Sequence, residues 1–247
     1  MKRIGACLML LGATLLAEEK PVPAGILEGT VTWEGEIPAL QPLEVDPAIP
    51  KGCACAPNSP DGKKHLKPNE ALLVDLEGKG VANCVVWLKG VKGGPAALGP
   101  AEITQKDCVF SPHVALVRAG QGVKVLNPEG IDHNFHTKGS ENPEMNVNIP
   151  KFKKVVEVSF GKPEFVRVIC DIHSGWMSCW IAVMENGWAA KTDAKGAFRI
   201  EGVPPGKYVL ALWHEPVEKG GKPLMREQEV VVETGKSMEA GFRLKAD

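Results

Sequence analysis

An all-β architecture, with its strands packed as sandwiches, follows from three features of this sequence. Short runs rich in β-branched and aromatic residues recur along the chain, Gly, Pro or Asn bounds them, and 27 Gly with 20 Pro leave little room for long helices. At 247 residues the chain can hold one large or two modest domains. The first strand lies in GTVTWEG at 29–35, where Val, Thr and Trp stand between glycines. CVVWLKG at 84–90 is a second, more apolar run that ends on Gly90. PAALGPAEI at 95–103 holds at most one short turn. VVEVSF at 155–160, FVRVIC at 165–170 and WIAVM at 180–184 follow the same rule, as do KYVLALW at 207–213 and EQEVVVE at 227–233. Asp193 with Gly196 supplies one hairpin turn and Gly206 closes another. There is no fixed-period repeat and no low-complexity tract.

The opening, MKRIGACLMLLGATLLAEEK, places Lys2 and Arg3 before an apolar run from Ile4 to Leu16, with Ala17 preceding the next charges. This is the pattern of a secretory signal peptide over residues 1–17, and it predicts a periplasmic or secreted protein. The run is too short to span a bilayer comfortably, so no membrane span is expected. Cys7 precedes most of the apolar run, which argues against lipid attachment there. Cleavage after Ala17 removes two of the 29 basic residues and leaves 27 against 30 acidic ones, a net charge of −3. A mildly acidic protein offers no support for binding nucleic acid.

Chemistry concentrates in CDIHSGWMSCW at 170–180. Cys170, His173 and Met177, spaced C-x2-H-x3-M, bring a thiol, an imidazole and a thioether onto one short loop. Soft and borderline donors favour a transition metal over a hard ion. A blue-copper site needs this set and one more histidine, giving two His and one Cys in a trigonal plane with a long axial Met. VKVLNPEGIDHNFHTKG at 123–139 offers His133 and His136. The structural alternative for the loop is a buried Cys, a surface His and a packing Met.

The stretch FSPHVALVRAGQGVKVLNPEGIDHNFH at 110–136, followed by VSFGKPEFVRVICDIHSGWM at 158–177, resembles the cupredoxin family of plastocyanin-like and amicyanin-like blue-copper proteins. The residues that carry the likeness are Phe110, Pro112, Gly120, Gly122, Asn127, Asp132, His133 and Asn134, then Cys170, His173 and Met177. The three-residue gap between His173 and Met177 is intermediate between the shorter and longer ligand loops of that family. The resemblance implies a cupredoxin Greek-key sandwich over 98–186 and a copper ion held by His133, Cys170, His173 and Met177. It also implies that Asn134 ties the two ligand-bearing segments together by hydrogen bonds. Residues three apart on a strand point to opposite faces, so His136 is expected as a surface or supporting group beside His133. His113 is read the same way, and the two together are candidates for a second, exposed metal site. His173 is expected to form the exposed edge of the site. Trp176 beside it is expected either as part of an apolar docking patch or as a core residue.

Six cysteines remain after export, and thiols outside the cytoplasm tend to pair unless metal holds them. The favoured bridge joins Cys108 to Cys53 or Cys55, Cys84 is expected as a buried free thiol, and Cys179 has no assigned partner. The nine-residue separation of Cys170 and Cys179 argues against a binuclear site with two bridging thiolates.

AAKTDAKGAFRIEGVPPGKYVLALWHE at 189–215 resembles the carboxypeptidase regulatory-like, transthyretin-like sandwich through Thr192, Asp193, Gly196, Phe198, the Pro204-Pro205-Gly206 turn and Tyr208. GILEGTVTWEGEIP at 25–38 and ANCVVWLKG at 82–90 resemble its opening strands. This implies one prealbumin-like sandwich from 25–95 with 187–247, into which the copper domain is inserted. Trp213 and His214 in it are expected as packing and a solvent-facing tip. The whole predicts an exported type 1 copper protein that carries single electrons to or from a redox protein partner. It is not expected to be an enzyme, since six histidines are too few and too scattered for a catalytic copper cluster. Two other readings are a copper-binding or delivery protein without redox cycling, and a structural or glycan-binding sandwich.

Overall fold

The computed structural model describes residues 23–41, 43 and 69–245. The signal segment 1–17 and both Cys53 and Cys55 lie outside them. The described residues form seventeen strands and no helix, so no helix among them is long and apolar enough to cross a membrane. Two strands come first, β1 (Gly25–Trp33) and β2 (Val85–Lys89). Next are β3 (Glu102–Lys106), β4 (Val109–Ser111), β5 (Val114–Arg118), β6 (Gly122–Leu126), β7 (His133–Lys138) and β8 (Asn146–Ile149). They continue as β9 (Val155–Ser159), β10 (Glu164–Ile169) and β11 (Ser178–Met184). The last are β12 (Ala189–Lys191), β13 (Ala197–Val203), β14 (Gly206–His214), β15 (Leu224–Val232), β16 (Ser237–Glu239) and β17 (Phe242–Leu244). Each of the seven strand runs read from the sequence lies largely within one of these elements.

Strand pairing falls into two closed sets. β3–β11 form the sheets β5-β11-β10-β7-β8 and β4-β3-β6-β9. β1, β2 and β12–β17 form the sheets β13-β1-β16, with β17 also paired to β1, and β12-β2-β14-β15. β1 runs antiparallel to β13 and parallel to β16 and β17.

The apolar runs show how these sheets stack. On β2, Val86 and Leu88 enter one core while Val85 and Trp87 enter another. β14 does the same with Leu210 and Leu212 against Ala211 and Trp213. β11 sends Ile181 and Val183 into a third core and Ala182 and Met184 into the one shared with β2 and β14. A strand buried on both faces has no polar side to alternate with, which is why WIAVM, CVVWL and VLALW read as unbroken apolar runs. The two sandwiches thus abut through a middle core, where Phe165 and Trp213 stack at a centroid distance of 4.3 Å and Trp180 meets Trp213 edge-on at 5.3 Å. This junction overturns the expectation of a solvent-facing His214. The ring is 1 % exposed, and its Nδ1 lies 2.8 Å from the Glu215 carbonyl oxygen.

Candidate metal centre

Two loops at one end of the β3–β11 sandwich bring the predicted ligands together. The first runs from Asn127 to His133, the opening residue of β7. Asn127 braces it by donating from Nδ2 to the carbonyl oxygens of Ile131 at 2.7 Å and Ile149 at 3.4 Å. Gly130 turns it with φ of 72°, a conformation that glycine adopts without a Cβ penalty. The second loop leaves β10 at Cys170. It is closed by the Cys170 amide donating to the Met177 carbonyl at 3.0 Å, and it turns at Gly175, φ 95°. β10 pairs with β7, with Ile169 opposite His136, so the two loops start from neighbouring strands.

Within them, Nδ1 of His133 lies 3.1 Å from Nδ1 of His173, and Sγ of Cys170 lies 3.5 Å from the second ring and 4.0 Å from the first. All three side chains are at most 1 % exposed. Burial dominates their protonation. It lowers His133 to about 4 against an opposing pull from Asp132, and lowers His173 to about 4 with help from His133 and against Glu129. Both rings are therefore neutral near pH 7, the form that ligates metals. Burial also raises the Cys170 thiol, while the backbone amides of Asn134, His173 and Ile172 direct hydrogen bonds at the sulfur and favour thiolate. Two imidazole nitrogens and a sulfur in a dry pocket suit a soft or borderline transition-metal ion and offer nothing to a hard one. Met177 is 1 % exposed and packs in the same core as Cys170 and Trp176.

Asn134 links the two loops. Its Nδ2 donates to Asp171 Oδ2 and to Asn146 Oδ1, both at 2.7 Å, and its Oδ1 accepts from the Asp171 amide at 2.7 Å. Strand alternation separates the two histidines of β7 as expected. His133, Phe135 and Thr137 share one face of the strand, whereas Asn134, itself buried, and the half-buried His136 share the other. There Nδ1 of His136 meets Asp171 at 2.8 Å and Nε2 meets Glu144, and these carboxylates, Asp171 first, raise its pKa. His113 sits elsewhere, its Nε2 against Glu215 and its Nδ1 3.7 Å from Glu70. The two are held by different carboxylates, so the expected second site formed by His113 and His136 is not assembled.

One other expectation is overturned, and one open choice is resolved. His173 is 0 % exposed and does not form an open edge. Trp176 is 5 % exposed, meets His173 edge-on at a centroid distance of 5.6 Å and donates from Nε1 to the Cys108 carbonyl at 3.1 Å, so it is a core residue. We expect Trp176→Ala to reduce the unfolding free energy by about 3–5 kcal/mol, as for other buried aromatic truncations. Urea titration measures this, and a change under about 1 kcal/mol would place the ring outside the core.

Cys84, Cys170 and Cys179 are free and buried, whereas Cys108 is disulfide-bonded. Its expected partners, Cys53 or Cys55, lie outside the described residues. Cys108, Glu129 and His133 also lie close enough to form a donor group, but a disulfide sulfur is not a thiolate ligand. The sequence reading missed Asp171 and Glu129. Both were signalled by position, Asp171 as the neighbour of Cys170 and Glu129 as the carboxylate four residues before His133.

No family model and no curated protein matches the chain. Solved structures similar to it include a reduced Cu(I) form of an amicyanin mutant, 18 % identical, with a TM-score of 0.31 over 36 % of this chain and 85 % of that one. A purple cupredoxin from Nitrosopumilus maritimus is 18 % identical, with a TM-score of 0.29 over 34 % of this chain and 99 % of that one. A copper-containing nitrite reductase from Thermus scotoductus is 21 % identical, with a TM-score of 0.31 over 37 % of this chain and 25 % of that one.

Proposed function

We propose that this chain is an exported type 1 copper protein that carries single electrons for a redox protein partner. Residues 98–186 would form its cupredoxin-type domain, and 25–95 with 187–247 a regulatory-like sandwich that carries it. The observation that supports this most is the convergence of His133 Nδ1, His173 Nδ1 and Cys170 Sγ within 4.0 Å of one another in a dry pocket. Copper bound there would supply one-electron chemistry. The ligands come from loops pinned by backbone and Asn134 hydrogen bonds, so they can keep one geometry in both oxidation states. Burial keeps water from the sulfur. The other described histidines are engaged away from the centre, His113 and His136 by carboxylates and His214 by a backbone carbonyl, and no catalytic role is proposed. The Cys108 disulfide fits an oxidising compartment and so favours export.

Reconstitution with Cu(II) tests this reading. The expected result is an intense visible thiolate-to-copper band. A colourless protein that binds only Cu(I) would favour delivery of copper, and no copper uptake would sink both readings. Met177→Leu should keep the band and shift the reduction potential, because a thioether would be a weak ligand that tunes the metal without holding it. Cyclic voltammetry measures the shift, and an unchanged potential would remove Met177 from the ligand set.

A further inference from the structure

The turn between β3 and β4 reaches both ligand segments. Its two residues, Asp107 and Cys108, have φ of 55° and 53°, the left-handed pair that closes a two-residue hairpin. Neither is glycine, so surrounding contacts must hold them there. The Glu129 carboxylate supplies such contacts. Its Oε2 accepts from the Asp107 amide at 2.7 Å and its Oε1 from the Cys108 amide at 3.1 Å. The same Oε1 lies 3.5 Å from Nε2 of His133. That nitrogen is buried, and 3.5 Å is too long for a good hydrogen bond, so it has no partner of its own. On the other side, the Cys108 carbonyl accepts from Nε1 of Trp176, the residue of the ligand loop that packs edge-on against His173.

We infer that Glu129 and the disulfide-bonded Cys108 turn position the metal ligands. A neutral imidazole carries one ring proton, and the carboxylate facing Nε2 of His133 draws it there, leaving the Nδ1 lone pair aimed at Cys170 and His173. The Cys108 carbonyl hangs Trp176 so that its ring backs the second imidazole. The disulfide anchors the turn from which both contacts originate. Glu129, Asp107, Cys108 and Trp176 are positioning residues here, and none of them is assigned as a ligand. The inference deepens the copper-carrier reading and rests on it.

The test compares Glu129→Ala, Glu129→Gln and Cys108→Ser in the full exported chain. In the metal-free proteins, 15N NMR of the imidazoles should find His133 protonated on Nε2 in the wild type and shifted toward Nδ1 in Glu129→Ala. Copper affinity, from competition with a chelator, should fall about 10–100-fold in Glu129→Ala and in Cys108→Ser, the range for groups that orient a ligand. Glu129→Gln keeps an acceptor oxygen and should recover most of that loss. An unchanged tautomer with unchanged affinity in Glu129→Ala overturns the inference. So does an equal affinity loss in Leu210→Ala, a core change in the other sandwich, at matched melting temperature, since the effect would then be general destabilisation. If Cys108→Ser does not fold, Trp176→Phe keeps the ring without its N–H. An affinity change of threefold or more in Trp176→Phe supports the second contact, and none removes it. A wild type that shows no copper band defeats the functional reading, whereas the tautomer measurement judges Glu129 without any metal.

Discussion

Cys170→Ser should abolish the visible copper band while leaving the fold intact. Cys170 is the sulfur gathered with the two imidazole nitrogens, and the charge-transfer transition would belong to its thiolate bound to the metal beside them. Serine is close in size and keeps the backbone bond from residue 170 to the Met177 carbonyl that closes the loop, so the loop keeps its shape. The other free thiols among the described residues do not substitute. Cys84 belongs to the core of the other sandwich, and its thiol is pushed up to about 12 by burial. Cys179 lies on β11 opposite Val168 and is raised still further by burial, with Glu215 adding to the effect. Cys179→Ser should therefore leave the band in place. Absorbance and circular dichroism of both variants check this, and colour surviving in Cys170→Ser would show that another sulfur binds the metal.

The second large effect separates two histidines three residues apart. His133→Ala should weaken copper binding by more than the roughly 10–100-fold that groups merely supporting a ligand cost. It removes one of three converging donors and leaves a buried gap that water fills poorly. His136→Ala removes an outward ring whose partners are Asp171 and Glu144. It should change affinity by less than about tenfold, since Asp171 remains tied to Asn134 through the 2.7 Å bonds. Chelator competition on the two variants decides the matter. Equal losses would mean that both rings coordinate.

The fold class and the ligand loops were legible because both depend on local sequence. Gly and Pro punctuation and β-branched runs mark strands wherever they occur, and Cys170, His173 and Met177 lie within eight residues, so their juxtaposition needs only one turn at Gly175. Period-two alternation likewise separates His133 from His136 in the sequence alone. What the sequence could not convey was cover. His173 was expected at the surface and Trp176 either at a docking patch or in the core, yet both are buried, with the carbonyl of the turn at Cys108 accepting the indole N–H. That turn is more than sixty positions away in the chain, and burial is a sum over neighbours from every distance. His214 went the same way. As a strand-end residue it read as a solvent tip, but β14 is buried along its last five residues where the two sandwiches abut. Glu129 was marked only by its spacing from His133, and the role inferred for it depends on where a left-handed turn places two amides and where β7 places an imidazole nitrogen. The sequence by itself determined which residues carry donor atoms of the right chemistry and which strands can form. The tertiary structure decided what surrounds them, since pairing register and sheet stacking, which set solvent access and hydrogen-bond partners, depend on contacts between distant parts of the chain.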